Sequence, residues 1–167
     1  VPDPALAGKT IRLKFANYFP PAAAPSKICE KFIQDIEKRT DGRVKITYYA
    51  GGSLLKAKAI FMGVLEGVAD IGFSHIEYTP GRMPVTAACG LPLGFPNPWV
   101  AAYVLNDFYD KFKPKEWDEV RVLWMHGSGV TILMTKDPVR ELDDLKGMVI
   151  RAPGQIGKTI KALGGSP

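Results

Sequence analysis

The 167-residue sequence has few of the residues that metal sites and disulfide frameworks require. It contains two cysteines and two histidines. Cys29 and Cys89 lie far apart with no C-x-x-C pair, and His75 and His126 lack the helical spacing of a zinc site. We therefore expect no metal ion and no cofactor. Both cysteines sit among apolar residues, which favours buried free thiols, and one disulfide between them is the alternative.

Long apolar runs and a one-sided charge are also missing. No stretch reaches the roughly 18 apolar residues of a membrane-crossing helix, so we expect no direct membrane insertion. The net charge is +5, but the basic clusters have acidic neighbours, as in 29–43. A nucleic-acid footprint needs a basic stripe with interleaved aromatic residues, and we expect no nucleic-acid partner. A modest positive field suits an anionic small ligand.

The patterns that mark common catalytic sites are absent as well. The glycine pair 51–52 fits neither the phosphate loop nor the dinucleotide loop. Ser128 precedes a predicted strand rather than the helix of a nucleophile elbow. Asp143 and Asp144 are adjacent, so on a helix they point in different directions and are more typical of capping than of acid–base catalysis. We expect no enzyme activity; a bound metal or a detected product would support the enzyme alternative.

The periodicity of the apolar residues predicts an α/β fold. Residues 10–16 alternate apolar and polar side chains, as a half-buried strand does. A helix from about Ser26 to Asp41 and a strand at 44–49 follow, and strand, helix, strand in this order predicts a parallel pair. The same reasoning predicts helices at 53–65, 100–112 and 155–163, and strands at 69–73, 120–125, 130–135 and 148–150.

Chemically useful side chains follow three of the predicted strands. In open α/β folds, ligands bind beyond the carboxyl ends of the strands. The loop 17–25 carries two aromatic residues and three prolines, and the loop 74–82 carries His75. Arg151 comes where the strand 148–150 ends, and its guanidinium fork matches a carboxylate in a two-point contact. By position alone, Arg151 is also compatible with a surface cation, and His75 with an ordinary loop histidine.

Several segments, taken in order, carry a family resemblance. They are I-R-L-K-F-A at 11–16, T-D-G-R-V-K-I-T-Y-Y-A-G-G-S-L at 40–54, G-V-L-E-G-V-A-D-I-G-F at 63–73, G-L-P-L-G-F at 90–95, D-D-L-K-G-M-V-I-R-A-P at 143–153 and A-L-G-G-S-P at 162–167. Together they resemble the extracytoplasmic solute receptors of tripartite ATP-independent periplasmic (TRAP) transporters, of the dicarboxylate-receptor type.

The resemblance implies a periplasmic-binding-protein-like clamshell of two lobes, each a three-layer αβα sandwich. Receptors of this family are nearly twice as long as the 167 residues here, so we expect partial coverage. Residues 1–123 would form the first lobe, and 124–167 the crossing strand and the incomplete start of the second. The resemblance also implies a periplasmic location for the mature protein, with its signal peptide removed.

The site residues follow from the same resemblance. In the family pattern K-G-x-x-x-R-x-P the arginine grips the ligand carboxylate, and here it is Arg151. Several relatives have a second arginine near the position of Thr131, so a second cation at the carboxylate is left open. The apolar and aromatic surroundings suggest a less polar acid. The further residues that alignment places at the cleft are Tyr18, Asn17, Phe19, His75, Ser74 and Thr131.

The function implied is capture of a small organic acid and its delivery to the membrane permease subunits of a TRAP transporter. A ligand-sensing or scaffold protein on the same clamshell, without a transporter, is the alternative. The sequence does not separate the two, because they bind ligand alike and differ only in their partner. It also leaves the oligomeric state open.

Overall fold

The computed structural model describes residues 9–91, 93–129, 131–152 and 154–167. The protein divides into two compact units, Val1–His75 and Ile76–Pro167. The lobe boundaries implied by the resemblance, 1–123 and 124–167, stay predictions.

The first unit is built on a three-stranded parallel sheet in the order β2-β1-β3. Both connections between strands contain a helix, as parallel pairing requires. The strand–helix–strand prediction is therefore confirmed for this unit. Its elements are β1 (Ile11–Asn17), α1 (Ala24–Arg39), β2 (Val44–Tyr49), a 3-10 turn (Ala57–Ala59), α2 (Ile60–Leu65) and β3 (Ile71–Phe73).

The core of this unit lies where β1 ends and α1 packs over the sheet. Phe15, Ala16 and Asn17 at the end of β1 are fully buried. Helix α1 buries a stripe that includes Cys29 and Ile33. Ile28 of the same helix lies off this stripe and is 65% exposed.

Helix α2 is shorter than the predicted helix at 53–65. Residues 53–56 fold back over α2 instead of starting it, and Leu55 lies directly on Gly63. A Cβ atom at Gly63 would come within 2.4 Å of Leu55 Cδ1. Leu54, Leu55 and Val64 pack against the buried cluster of Ala16, Ile60 and Ala69.

The second unit is mostly helical in its described residues. Its elements are a 3-10 turn (Ile76–Tyr78), α3 (Pro84–Ala87), a 3-10 turn (Ala88–Gly90), α4 (Pro98–Phe112), 3-10 turns at Lys115–Trp117 and Leu142–Leu145, and α5 (Gly154–Ala162). The carboxylate of Glu116 accepts hydrogen bonds from the N–H groups of Val85 and Thr86, which satisfies the amino end of α3. The Trp117 indole donates to the Thr86 hydroxyl at 2.8 Å.

The strands predicted at 120–125 and 130–135 were wrong in their described residues. A strand requires a hydrogen-bonded neighbour, and residues 120–129 and 131–135 form no ladder. At Met125 the side chain of Asn106 takes the place of a neighbouring strand: it accepts from the Met125 N–H at 3.1 Å and donates to its carbonyl at 2.7 Å. Val130 lies outside the described residues.

Two further predictions in this unit need correction. The strand at 148–150 is reduced to a single parallel bridge between Val149 and Ser166. Helix α4 begins at Pro98, because Asn97 accepts a hydrogen bond from the Val100 N–H at 2.9 Å and caps the helix. Among the helices of the described residues, none combines the length and the apolar character of a membrane crossing.

Candidate ligand-binding site

The loop after β1 is organised by Asn17. Its side chain is fully buried, and its Oδ1 accepts a hydrogen bond from the Phe19 N–H at 3.0 Å. Its Nδ2 donates to the hydroxyls of Ser26 at 3.0 Å and Tyr48 at 2.6 Å. Because an unbonded buried amide is costly, these partners fix the side chain firmly. The structure therefore places Asn17 beneath the loop as its support.

Four aromatic rings, one buried and three half-buried, gather at the carboxyl ends of β1 and β3. The rings of Tyr18 and Phe19 stack with centroids 4.3 Å apart, and His75 lies 6.0 Å from Tyr18 and 5.9 Å from Phe19. Phe73 adds a fourth ring, 5.8 Å from Phe19. We call Tyr18, Phe19, Phe73 and His75 the aromatic cluster. Ring pairs at these distances are mutually attractive, so the cluster offers a ready-made apolar face.

The hydroxyl of Ser74, next to His75, makes a structural hydrogen bond. It donates to the Ala57 carbonyl at 3.2 Å and so ties the end of β3 to the turn before α2. Its place at the strand end agrees with the predicted position, but the hydroxyl already has a partner in this unit.

Arg151 and Thr131 line one cleft of about 720 Å³ in the second unit. The lining is largely apolar, although Lys136 adds a second cation and Asp137 an anion. The Arg151 side chain is exposed. A carboxylate in such a cleft would meet a cation beside an apolar wall. The apolar lining includes Ile132, Met134, Val149, Ile156 and Ile160.

The segment that leads to Arg151 is fixed by a reciprocal cap. Glu141 and Asp144 each accept a hydrogen bond from the other's backbone N–H around the turn Leu142–Leu145. The N–H groups of Arg140 and Glu141 both donate to Asp144, and these bonds lower the pKa of its carboxyl below the ordinary value. The prediction that Asp144 is a capping residue is confirmed.

Beyond this cap, the backbone is positioned by Gly147 and by Ser166. Gly147 has a φ of +78°, a left-handed conformation that favours glycine. The Ile150 N–H donates to the Ser166 carbonyl at 2.7 Å, and the Ser166 N–H donates to the Met148 carbonyl at 2.8 Å. These bonds flank Val149, two residues before Arg151. Arg151 therefore directly follows a backbone segment that hydrogen bonds to Ser166 hold in place.

The thiols of Cys29 and Cys89 lack the lowered pKa of an activated nucleophile. Burial raises the pKa of the Cys29 thiol, although a hydrogen bond from Tyr48 partly opposes this. Burial likewise raises the pKa of Cys89, and neither cysteine is in a disulfide. Reactive thiols need the opposite shift. In the described part of the protein no group of His, Cys, Asp or Glu side chains is arranged to hold a metal ion.

The predicted site residues thus fall into two local groups. Tyr18, Phe19 and His75 meet in the first unit, and Arg151 and Thr131 meet in the second. The sequence reasoning missed two contributors in the first unit. One is Tyr48, which the parallel register places opposite Phe15, two residues before Asn17. The other is Phe73, the last residue of β3. The pairing of the strands was the signal that would have found both.

Comparison with protein families identifies the protein's class. A model described as bacterial extracellular solute-binding protein, family 7, matches residues 15–167. The chain belongs to this family. Family 7 is a family of solute-binding proteins, which confirms the class expected from the resemblance. A curated relative, a solute-binding protein of Albidiferax ferrireducens, is 29% identical over 157 residues, covering 86% of this chain and 44% of the relative.

Solved structures agree with the family 7 assignment. A TRAP periplasmic solute-binding protein of Desulfovibrio salexigens is 43% identical with a TM-score of 0.79, over 94% of this chain and 49% of its own. A marine metagenome TRAP protein specific for aromatic acid ligands, in complex with 3-hydroxybenzoate, is 26% identical with a TM-score of 0.83, over 96% and 51%. The resemblance to TRAP receptors and the expected α/β periplasmic-binding-protein fold class are confirmed. The 167 residues span about half the length of these proteins.

Proposed function

We propose that the protein is a periplasmic receptor that captures an organic acid through a contact between Arg151 and the ligand carboxylate. The position of Arg151 carries the proposal: it lines a largely apolar cleft together with Thr131. Guanidinium groups bind carboxylates through two parallel hydrogen bonds, which a surrounding apolar wall strengthens by excluding water. Thr131 offers a hydroxyl as a neutral second partner.

The ligand is an aromatic acid. The largely apolar lining of the cleft supports this, because it suits an apolar ligand body. The solved marine relative, specific for aromatic acids, supports the same class. The Desulfovibrio relative has the C-terminus of a symmetry mate in its ligand-binding site, and a polypeptide C-terminus carries a carboxylate.

Delivery to the membrane permease of a TRAP transporter, with no chemical turnover, completes the proposal. Membership of a solute-binding family supports it, as do the TRAP relatives. The uptake of a radiolabelled acid into vesicles that contain the cognate permease tests this step. Uptake that does not depend on the receptor would contradict it.

Arg151→Ala in the full-length receptor tests the carboxylate contact. We propose that the ligand-bound full-length receptor shields this pair from water, so that removing one partner leaves the other buried and unpaired, at a cost of about 3–5 kcal/mol. We therefore expect the affinity for 3-hydroxybenzoate to fall about 100- to 3,000-fold. Isothermal titration calorimetry on wild-type and variant receptor measures the change. Arg151→Lys should fall in between, because it keeps the charge and loses the two-point geometry.

Arg121→Ala is the matched control. It removes the same charge from an exposed arginine that is not among the residues lining the cleft. We expect its affinity to stay within about twofold of wild type, since the charge it removes lies outside the contact. Equal affinities of the Arg151→Ala and Arg121→Ala receptors would remove Arg151 from the site.

A further inference from the structure

The backbone of the loop 17–19 is held by hydrogen bonds from three directions. The Gly51 N–H donates to the Phe19 carbonyl at 2.8 Å, and the Ser26 hydroxyl donates to the same carbonyl at 3.2 Å. The Phe19 N–H donates to Asn17 Oδ1 at 3.0 Å. Both backbone polar groups of Phe19 are therefore bonded, and the direction of its ring depends on these bonds.

The Asn17 amide is in turn oriented by its other contacts. Since an N–H group only donates, Phe19 must face the Asn17 oxygen. The Nδ2 group then points to Tyr48 Oη at 2.6 Å and to Ser26 Oγ at 3.0 Å. The contact with Tyr48 is the shorter of the two. The Tyr48 hydroxyl is thus one of the two acceptors that hold the Nδ2 group in this orientation.

Tyr48 reaches this point from the neighbouring strand. It lies opposite Phe15 in the parallel register of β1 and β2, with ring centroids 5.4 Å apart in an edge contact. Its hydroxyl also donates to the Ser26 carbonyl at 3.5 Å. Burial raises the pKa of Tyr48 above its ordinary value of 10.0, so the hydroxyl stays protonated and neutral at working pH.

We propose that Tyr48 is a positioning residue, which orients Asn17 and thereby fixes the backbone of Phe19 and the aromatic cluster. The proposal rests on the proposed function, because the aromatic cluster affects the binding affinity only if it faces a ligand. Tyr48 acts through Asn17 and needs no contact with the ligand itself. Its phenol is the remote end of a series of hydrogen bonds that ends at the backbone of Phe19.

Hydrogen exchange in the full-length Tyr48→Phe receptor tests the positioning role without any ligand. Loss of one hydrogen bond to the buried amide should let the loop open more often. We expect exchange in peptides covering 17–23 and 50–53 to accelerate about 3- to 10-fold, the range that one hydrogen bond supports. Exchange elsewhere in β1 and β2 should stay at the wild-type rate.

Tyr49→Phe is the matched control. It removes the same hydroxyl one residue further along β2, from the opposite face of the strand. We expect wild-type exchange in both loop peptides. Loop exchange at the wild-type rate in Tyr48→Phe, or a uniform acceleration across the whole sheet, would overturn the proposal, since a purely structural residue gives the uniform result.

Calorimetry with 3-hydroxybenzoate separates this proposal from the proposed function. We expect Tyr48→Phe to bind about 3- to 10-fold more weakly than wild type, and Tyr49→Phe to bind like wild type. If Arg151→Ala abolishes binding while Tyr48→Phe binds normally, the positioning role alone is overturned. If the wild-type receptor binds no organic acid, the proposed function fails, and the exchange experiment still decides whether Tyr48 holds the loop.

Discussion

At the scale of single residues, Gly127 lies closest to the backbone of another segment among the described glycines. A Cβ atom there would lie 2.6 Å from the Pro98 carbonyl oxygen and 3.2 Å from the Ala102 nitrogen, both backbone atoms at the start of α4. The backbone of a capped helix cannot shift easily to make room for the added methyl group. We expect Gly127→Ala to lower the free energy of unfolding by about 1–3 kcal/mol, as overpacking does. Chemical denaturation measures the loss.

Gly129 provides the matched comparison two residues away. A Cβ atom there meets nothing within 4 Å among the described residues. Gly129→Ala should leave stability unchanged or raise it by up to about 1 kcal/mol, because alanine restricts the unfolded state. Equal stabilities of the Gly127→Ala and Gly129→Ala proteins would mean that the segment after Met125 does not pack on α4 as the structure has it.

The residue scale also shows how far the sequence could predict the site. Alignment with the family pattern selected Arg151, Tyr18 and His75 as candidates, and their part in ligand binding stays a prediction. The alignment did not reveal that Asn17 lies buried beneath the loop, where its amide has protein partners. Burial of a polar side chain depends on what packs over it, and no local pattern encodes the approach of Tyr48 from another strand.

At the scale of elements, the cap around Leu142–Leu145 makes stability depend on pH. The folded-state pKa of Asp144 is lowered by two backbone hydrogen bonds, so its contribution is present above the ordinary value of 3.8 and is lost as pH falls through the folded-state value. Asp144→Ala should lower the melting temperature at neutral pH. The gap to wild type should narrow only below pH 3.8. Thermal melts across the acid range measure it.

Asp143→Ala is the control for this element, since it removes the same charge from the adjacent residue. Asp143 pairs with Lys146 at 2.9 Å, but the side chains are 74% and 69% exposed. Exposed pairs of this kind add little to stability. A melting temperature that falls equally in both variants would contradict the capping role of Asp144.

Strand predictions succeeded in the first unit, where the predicted strands pair with one another, and failed at 120–125 and 130–135 in the second. β1, β2 and the helix between them were predicted correctly, because their patterns are strong and the strands pair with one another. The strands at 120–125 and 130–135 have equally apolar patterns, but the described residues there form no ladder. An apolar run specifies burial, whereas a strand also needs a neighbour that the run itself cannot specify.

At the scale of the whole molecule, several large apolar side chains along the cleft of the second unit are exposed. Met134 is 83% exposed, Val149 86% and Ile132 69%, and all three line the cleft. The relatives are about twice as long, so they have further residues available to cover such a surface. Contiguous exposed apolar surface favours association. We therefore expect the isolated 167-residue protein to self-associate as its concentration rises.

Sedimentation velocity over a concentration series tests this expectation. A lysine ammonium group resists burial in an apolar contact between two copies of the protein. Met134→Lys combined with Val149→Lys should therefore reduce the concentration dependence of the sedimentation coefficient. Leu142→Lys adds charge at a side chain that is 63% exposed and is not among the residues lining the cleft, so it should change little. A wild-type protein that stays monomeric throughout, or equal effects of the cleft and Leu142 variants, would show that the exposed face does not drive association.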